Sequence, residues 1–379
     1  MSRRRITRLA SLLALALGAC TVPEQIHSPD STTIGLPEAD ASGLESRVAA
    51  LLSEGRQAVL ATPDSAEAWG RLGESYDVHA FYEEAADCYR RARELDPADF
   101  RWPYFLAIVR DLRGAPAHEV AAFYREAAAL RPDYVPTQVR LGMAFSKRGM
   151  YREARAVFEQ ALTLDPRSAG ALRGLALAEL ATGDVQAARD HLLGAARMNP
   201  NDGTIHAALA QSYMRLGDRD AADRAADLAG RLDPEPAISD AVRDRELEPL
   251  GVSSTFCFAR AKRLLKRGEY RRAMADLEVV LEHQPHDHVA HLWMGSALVK
   301  LGQPDRALPY MLRTLELRDD LAPVHYTVGA LLEHQGRTEE ALSHYRRAVQ
   351  LEPDHTRARR ALASAEVKQA TAHRRVAGL

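Results

Sequence analysis

The sequence has few cysteines, few aromatic residues and no marked excess of charge of either sign. Three cysteines in 379 residues are too few for a disulfide framework. The 50 Lys and Arg residues against 52 Asp and Glu give a net charge of −2, without the basic excess typical of a dedicated nucleic-acid binder. Aromatic residues make up only 6% of the chain, and alanine-rich stretches such as AAFYREAAAL are common. Small side chains at this density favour closely packed helices, so the composition favours an all-α chain.

The sequence also lacks recognisable catalytic motifs. It contains no Gly-rich phosphate loop and no Gly-x-Ser-x-Gly elbow. Beyond the N-terminal segment the only cysteines are Cys88 and Cys257, which lie far apart and without metal-ligand spacing. We expect both to be small packed residues of helices. The sequence therefore predicts neither an enzyme nor a bound cofactor.

The first twenty residues have the pattern of an export signal. Four arginines precede an apolar run at 9–17, which is too short to cross a bilayer. The sequence LGAC, ending at Cys20, resembles the bacterial lipoprotein signal; this implies removal of residues 1–19 and a lipid anchor on Cys20. The alternative is an ordinary cleavage site followed by an ordinary cysteine. Thr21, where an inner-membrane signal often has Asp, favours the periplasmic face of the outer membrane of a bacterial cell envelope.

Removal of this segment would change the charge balance. It takes away four arginines and no acidic residue, which leaves 46 basic against 52 acidic residues, or −6. Residues 20–40 then contain three prolines, several Ser and Thr residues and no helical periodicity. This composition predicts a flexible tether between the membrane and the folded body.

One period of about 34 residues dominates the remainder of the chain. The first copy is marked by Trp69, Leu72, Gly73, Tyr76, Ala85, Tyr89, Ala92 and Pro97. Prolines recur at positions 63, 97, 132, 166, 200 and 234 and, after a step of 51, at 285 and 353. The pattern resembles the tetratricopeptide repeat, a helix-turn-helix unit of 34 residues. The resemblance implies an all-α fold, a right-handed α-solenoid superhelix in which the units stack as one elongated domain.

Eight units follow from this spacing, five within 66–236 and three within 254–355. They span residues 66–99, 100–134, 135–168, 169–202, 203–236, 254–287, 288–321 and 322–355. The second unit has one extra residue near Gly114, in the turn between its helices. The sixth has Arg260 where an apolar residue is expected.

The ends of a solenoid need covers. An apolar stripe within residues 41–65 predicts a capping helix before the first unit. Residues 356–379 predict a polar-faced capping helix and tail after the last unit. The inward positions of this second helix are Ala361, Leu362, Ala365 and Val367.

Residues 237–253 interrupt the array between the fifth and sixth units with 17 additional residues. The simpler interpretation, which we prefer from sequence, is a linker that lets the superhelix change direction. The alternative is an internal plug that docks onto a neighbouring groove through Val242, Leu247, Leu250 and Val252.

Histidines cluster at one place, between His283 and His291. His288 and His291 are three residues apart at a helix start and could share a face that binds zinc or nickel. The segment is also an inter-repeat turn, and His206, His291 and His325 occupy equivalent positions in their units. Repeat-derived packing is therefore the interpretation we prefer, and we predict no metal site.

By the resemblance, the first helices of successive units line a concave groove that contacts extended peptides. The groove residues so implied are Val139, Met143, Lys147, Arg173, Leu177, Met214, Arg215, Phe258, Lys262, Lys266, Lys300, Tyr326 and Glu333. In the first unit Glu67, Glu74 and Asp77 take these places. A groove with an acidic end and an apolar, basic middle suits a partner with acidic and hydrophobic residues.

The sequence thus predicts a membrane-anchored scaffold or adaptor for protein or peptide partners. The resemblance points to assembly of a bacterial envelope machine, such as one for pili, cell wall or polysaccharide export. No nucleic-acid partner and no small-molecule substrate are expected. Two alternatives stay open: a metal-binding protein or metal-dependent enzyme that uses the His283–His291 cluster, and a structural protein that associates with itself.

Overall fold

The computed structural model of the protein describes residues 35–40, 42–232, 238 and 240–376, with side chains in the last range as far as 371. These ranges form 19 α-helices and one short 3-10 helix and contain no strand. Cys20, the predicted signal and most of the predicted tether lie outside the described residues. None of the described helices is both long and apolar enough to cross a membrane.

Five helix pairs follow an N-terminal helix α1 (Ser46–Ala61). They are α2 (Ala66–Val78) with α3 (Tyr82–Leu95), α4 (Arg101–Leu112) with α5 (Ala117–Leu130), α6 (Val135–Lys147) with α7 (Tyr151–Leu164), α8 (Ala169–Thr182) with α9 (Val185–Met198), and α10 (Gly203–Leu216) with α11 (Arg219–Arg231). Each second helix except α11 packs between its own partner and the first helix of the next pair.

A short helix α12 (Ala241–Leu247) and the 3-10 turn Glu248–Leu250 separate these pairs from three more. The later pairs are α13 (Ser254–Lys266) with α14 (Tyr270–His283), α15 (His288–Lys300) with α16 (Pro304–Leu317), and α17 (Ala322–His334) with α18 (Thr338–Leu351), followed by α19 (Thr356–Val376). The first helix of every pair begins at, or one residue after, the start of a unit in the sequence pattern.

Small residues of the first helices make room for large residues of the second ones. The ring of Phe158 in α7 lies between Gly142 of α6 and Gly174 of α8. A methyl group on Gly142 would lie 2.6 Å from this ring, and one on Gly174 would lie 2.4 Å from it. Both distances are far below van der Waals contact, so the two glycines set the helix spacing. The low aromatic content follows, because each unit accommodates few large rings.

The apolar core is divided into three clusters. One joins α1 and the first three units with parts of α8 and α12, a second lies in the fourth and fifth units, and a third lies in the last three units. Within the described chain α11 does not pack closely against α13. The predicted all-α solenoid of helix pairs is confirmed, and its stacking is interrupted between the fifth and sixth units, where the insert lies.

We call the first five units the first block and the last three units the second block. The second block lies beside the start of α1. The carboxylate of Glu45 accepts hydrogen bonds from the backbone N–H and the hydroxyl of Ser254, both at 2.7 Å. Arg47 donates to Glu282 at the end of α14, also at 2.7 Å. The first helix of unit six is thus capped by a carboxylate that comes from the opposite end of the first block.

The chain ends differ from the prediction in two places. The tether predicted over 20–40 does not extend to its end, because Leu36 is buried and the Pro37 carbonyl accepts hydrogen bonds from Tyr76 and Arg56. In α19, Ala365 is buried as expected, but Val367 is 66% exposed, so its predicted inward position is wrong. Because the helix turns by about 100° per residue, Val367, two positions after Ala365, lies on the opposite side of the helix and faces solvent.

Candidate interaction surfaces

Residues 240–250 of the insert lie against the first helices of the first three units, on the face that the repeat family uses as a groove. We call residues 240–250 the docked segment. Val242 and Leu247 are buried in the same apolar cluster as α2, α4 and α6, and Val252 packs against that cluster. Leu250 is partly buried. The linker interpretation preferred from sequence is therefore wrong for this part of the insert, and the internal plug is the arrangement that the contacts describe.

Asp240 holds the start of the docked segment. Its carboxylate accepts hydrogen bonds from the hydroxyls of Tyr104 at 2.5 Å and Tyr134 at 2.6 Å, and from Arg140 at 2.9 Å. It also caps α12 by accepting from the Arg243 N–H. Burial opposes ionisation, but the Arg140 guanidinium and the tyrosine hydroxyls outweigh it and keep the pKa of Asp240 below its usual value.

Arg243 forms the second anchor of the docked segment. Its guanidinium donates to both oxygens of Asp77 in α2, at 2.7 and 2.8 Å. It also lies 5.9 Å from the centre of the Phe105 ring. Asp77 accepts a further hydrogen bond from the hydroxyl of Tyr89. Bidentate pairs of this kind are among the stronger ionic contacts in proteins.

The predicted acidic end of the groove is consequently occupied. Asp77 is neutralised by the chain's own Arg243, and Glu67 pairs with Arg101 at 2.8 Å. Glu74 is fully buried, so it presents no carboxylate to a partner in this state. The sequence-based assignment to an open acidic surface is wrong for Asp77 and Glu74, which lie beneath the docked segment, whereas Glu67 stays exposed beside Arg101.

Glu74 has no hydrogen-bond partner among the described residues. Its nearest cation is Arg71, whose Nη1 lies 3.6 Å from a carboxylate oxygen of Glu74 and 3.8 Å from one of Glu246 in the docked segment. Burial raises the pKa of Glu74 to about 8; Arg71 opposes this shift and Glu246 adds to it. Glu246 also accepts hydrogen bonds from the neighbouring Arg245 at 2.9 and 2.5 Å, so Glu74 is the carboxylate that depends on Arg71 alone.

The groove is open in its apolar part from the third unit to the fifth. Met143, Leu177 and Met214 lie on three successive first helices and are 39%, 43% and 60% exposed. Val139, by contrast, is buried and presents no side chain to a partner, which corrects its assignment.

The basic residues predicted in this region bind within the chain. Arg173 donates to Asp202 at 2.5 Å, and Arg215 donates to the Leu180 carbonyl at 2.6 Å. Lys147 pairs with Asp111 at 3.1 Å. Their charges are therefore partly compensated, and the surface offers mainly apolar contacts.

The last three units carry an aromatic and basic surface. The rings of Phe258 in α13 and Trp293 in α15 stack with centroids 4.6 Å apart, and both are partly exposed. Lys262, Lys266 and Lys300 are exposed on the same helices. Phe258 and the three lysines occupy positions that the repeat pattern assigns to the groove, and Trp293 stacks beside them.

The far end of that surface is partly closed by the C-terminal helix. Tyr326 lies near the rings of Tyr345 and His355, at 6.1 and 5.4 Å between centroids. Glu333 accepts hydrogen bonds from Lys368 of α19 and from Tyr345. Lys368 and Tyr345 hold the pKa of Glu333 below its usual value.

Arg260, the irregular residue of unit six, lies away from this surface. Its guanidinium donates to both oxygens of Asp276 in α14, at 2.8 and 2.5 Å, and to the Glu248 carbonyl. It therefore joins the two helices of the unit to the end of the docked segment. The departure from the repeat pattern at this position is explained by that contact.

The histidines at equivalent repeat positions make one recurring contact. In each case a ring N–H donates to the carbonyl six residues earlier, where Trp69 makes the same bond in the first unit. The pairs are Trp69 with Pro63, His206 with Pro200, His291 with Pro285 and His325 with Asp319, at 2.8, 2.8, 3.0 and 3.0 Å. The packing role inferred from sequence is what this geometry describes.

The alternative metal site is not assembled in the described part of the chain. No three side chains of His, Cys, Asp or Glu approach one another closely enough there to share an ion. His286 contacts Arg313, and His291 is engaged with the Pro285 carbonyl. Cys88 and Cys257 are buried within their helices, as predicted, and burial raises the pKa of both thiols, that of Cys257 to about 11.

Sequence reasoning missed several residues of these surfaces. Trp293 lies one position beyond the one that the repeat pattern assigns to the groove. Tyr134 and Arg140 carry no repeat signature, and Asp240 and Arg243 lie in an insert that the period does not cover. A usable signal was present, since Asp240 is followed by apolar and basic residues at the spacing of one helical face.

Two curated relatives from Schizosaccharomyces pombe are similar in sequence. Anaphase-promoting complex subunit 3 is 23% identical over 248 residues, which is 65% of this chain and 30% of that protein. Superkiller protein 3 is 26% identical over 139 residues, or 35% of this chain and 10% of that protein. The chain thus spans less than a third of the length of either relative.

Among solved structures, MamA from Desulfovibrio magneticus RS-1 aligns with 44% of this chain and 94% of its own, at 19% identity and a TM-score of 0.41. Models of the tetratricopeptide repeat match residues 66–99, 139–203, 264–331 and 322–355, just over half of the chain. Their matches fall in both blocks of helix pairs. This protein belongs to the tetratricopeptide repeat family, whose stacked helix pairs are protein-interaction scaffolds.

Proposed function

We propose that this protein holds protein or peptide partners on the open part of its concave surface and keeps them close to a membrane. The observation that carries the proposal is the stacked pair Phe258 and Trp293, with Lys262 and Lys300 exposed on the same helices. Aromatic side chains provide large contact areas at low entropic cost, and exposed lysines attract acidic partners. The partner is therefore a segment with acidic and aromatic or aliphatic side chains.

The apolar residues Met143, Leu177 and Met214 extend this binding capacity to the first block. Methionine adapts to differently shaped partners, because its side chain is unbranched and flexible. An extended partner, or two partners, would use the two open surfaces, since the docked segment fills the groove of the first two units and the start of the third. This division suits an adaptor that brings two proteins together.

The membrane anchor is the lipidated Cys20, by the resemblance of LGAC to the bacterial lipoprotein signal. The location proposed is the periplasmic face of the outer membrane, and the role is assembly of an envelope machine for pili, cell wall or polysaccharide export. Replacement Cys20→Ser tests the anchor: the protein should move from the membrane fraction to the periplasmic fraction. Retention of the variant in the membrane would contradict it.

The groove is tested with a peptide array that varies acidic and aromatic content. We expect Lys262→Glu with Lys300→Glu to weaken binding of acidic, aromatic peptides by about tenfold at low salt, and by less at high salt, because exposed charges are screened. The matched control, Arg271→Glu with Arg306→Glu, makes the same charge change on the second helices of units six and seven. Equal losses in both variants, or none in either, would remove the surface from the proposal.

Binding can also be followed directly through tryptophan fluorescence. Trp69 and Trp102 are buried, whereas Trp293 lies partly exposed on the proposed surface. A bound peptide should shift the emission of Trp293, and Trp293→Phe should abolish that response. A response that persists in Trp293→Phe would place the peptide elsewhere.

A further inference from the structure

We propose that the concave face of the first three units is a second binding site, and that residues 240–247 occupy it as an intramolecular ligand that a partner segment displaces. The partner it fits is a short protein helix with an N-capping Asp, an Arg three residues later, a cationic residue six later and an apolar residue seven later. The site is separate from the surface of the last three units that carries the proposed function.

The first argument is that the recognising groups belong to the units themselves. Tyr104 and Tyr134 lie with their ring centroids 5.6 Å apart, and Arg140 also donates to the Tyr104 hydroxyl at 2.8 Å. Asp77 is oriented by the hydroxyl of Tyr89. The site that binds the Asp240 carboxylate and the site that binds the Arg243 guanidinium are thus built by α2, α3, α4 and α6. The contacts that hold these sites together do not involve the docked segment, and such preorganisation lowers the cost of binding.

The second argument is the spacing of the contacts along the docked segment. Asp240, Arg243 and Leu247 are separated by three and four residues, so they share one face of a helix. Asp240 meets the tyrosines and Arg140, Arg243 meets Asp77, and Leu247 enters the apolar cluster. This is the arrangement of a helical ligand with two charged anchors and one apolar anchor.

The third argument is that the resident ligand fits imperfectly. It leaves the buried carboxylate of Glu74 without a hydrogen-bond partner and brings a second carboxylate, Glu246, to the same Arg71. A ligand with a cation at the place of Glu246 would remove the second carboxylate from Arg71 and stabilise the ionised form of Glu74. A segment of the same pattern with that one change should therefore outcompete the resident one, which is the property of a displaceable ligand.

The test uses the full chain and fluorescein-labelled synthetic peptides of residues 240–252. In a variant with Asp240→Ala and Arg243→Ala the resident anchors are lost and the groove residues stay intact. We expect this variant to bind the peptide at least tenfold more tightly than the unaltered protein does. The E246R peptide should bind it about tenfold more tightly still, and a peptide with D240A and R243A should not bind.

A second measurement keeps the test valid if the double variant folds poorly. Hydrogen exchange of amides 241–247 in the unaltered protein should accelerate when the E246R peptide is added in excess, because displacement exposes the resident helix. The D240A, R243A peptide is the control and should leave exchange unchanged. Lys262→Glu with Lys300→Glu should also leave peptide binding unchanged, which separates this site from the proposed function.

The proposal would be overturned by two results together. Neither the unaltered peptide nor the E246R peptide would bind the Asp240→Ala, Arg243→Ala variant, and millimolar E246R peptide would leave exchange at 241–247 in the unaltered protein unchanged. The docked segment would then be a permanent staple between the two blocks. A better fit of the unaltered peptide than of the E246R peptide would contradict the assigned chemistry at the place of Glu246.

Discussion

At the scale of single residues, the turn inside each unit requires a left-handed backbone conformation. Gly149, Gly183 and Gly217 have φ between 72° and 94°, and Gly268, Gly302 and Gly336 have φ between 70° and 76°. The first unit places Ala80 in the equivalent turn, with φ of 65°, the one non-glycine residue with positive φ in the described chain. A Cβ atom in this conformation costs about 1–2 kcal/mol.

We therefore expect Ala80→Gly to raise the free energy of unfolding of the first unit by about 1 kcal/mol, net of the greater entropy of the unfolded glycine. The reverse change Gly149→Ala in the third unit is the matched comparison and should lower it by about 1 kcal/mol. Thermal unfolding and hydrogen exchange of α2 and α6 measure both effects. Shifts of the same sign for the two variants would show that the turn geometry does not govern stability here.

Glu74 gives a pH-dependent prediction at the same scale. Its pKa in the folded chain is about 8, above the ordinary 4.5, so between these values the folded state binds more protons than the unfolded state. The free energy of unfolding consequently falls as pH rises from about 4.5 to 8. Glu74→Gln removes the titrating group, and we expect it to raise the unfolding midpoint at pH 8.5 by several degrees more than at pH 5.

The exposed Glu339 supplies the control for this experiment. Glu339→Gln makes the same chemical change at a helix surface and should leave the pH dependence of the unfolding midpoint unchanged. A Glu74→Gln variant that keeps the slope of the unaltered protein between pH 5 and 8.5 would show that another group causes it.

At the scale of elements, unit six is held together by an ion pair in place of an apolar contact. Arg260→Met leaves the carboxylate of Asp276, which is 8% exposed, without its partner. Breaking a buried pair on one side costs about 3 kcal/mol, whereas replacing both partners by apolar groups is often close to neutral. We expect Arg260→Met to destabilise α13 and α14 and the double variant with Asp276→Leu to recover most of the loss.

Hydrogen exchange of α13 and α14, compared with that of α17 and α18, measures this effect within one protein. The last unit serves as the internal reference, because solenoid units interact mainly with their neighbours. A double variant that is less stable than Arg260→Met alone would indicate that Arg260 acts through the Glu248 carbonyl instead.

At the scale of the whole molecule, the two blocks are joined by the docked segment and by contacts at the start of α1. Glu45 and Arg47 bind Ser254 and Glu282 across more than 200 residues of sequence. We expect Glu45→Ala with Arg47→Ala to loosen this junction, with a larger radius of gyration in X-ray scattering and faster proteolysis near residue 251. Each helix pair should keep its own stability, because neither residue belongs to a unit.

The matched control removes an ion pair of the same length within one helix. Asp87 and Arg90 of α3 lie 2.7 Å apart on the surface, and replacing both by Ala should change neither scattering nor proteolysis. Identical behaviour of the two double variants would mean that the docked segment alone holds the blocks together.

Most of the fold could be predicted from the sequence, because a repeat encodes contacts between neighbours. Leu72, Gly73 and Ala85 meet residues of the same or the next unit, so the period of 34 residues specifies the pairs and their boundaries. The contacts of Trp69 and His291 with carbonyls six residues earlier are equally local. The sequence by itself thus determined the helix pairs, the family, and the aromatic and basic residues of the last units as candidates for binding.

Only the tertiary structure decided which part of the groove is open. Asp240 contacts Tyr104 across 136 residues, and Arg243 contacts Asp77 across 166. The repeat period does not link such positions, because the insert occurs only once in the chain. Its partners include charged residues, which have the same appearance in a sequence when they lie on an exposed face. The physical reason is that the repeat specifies neighbour packing, whereas docking depends on charge complementarity between surfaces that only folding brings together.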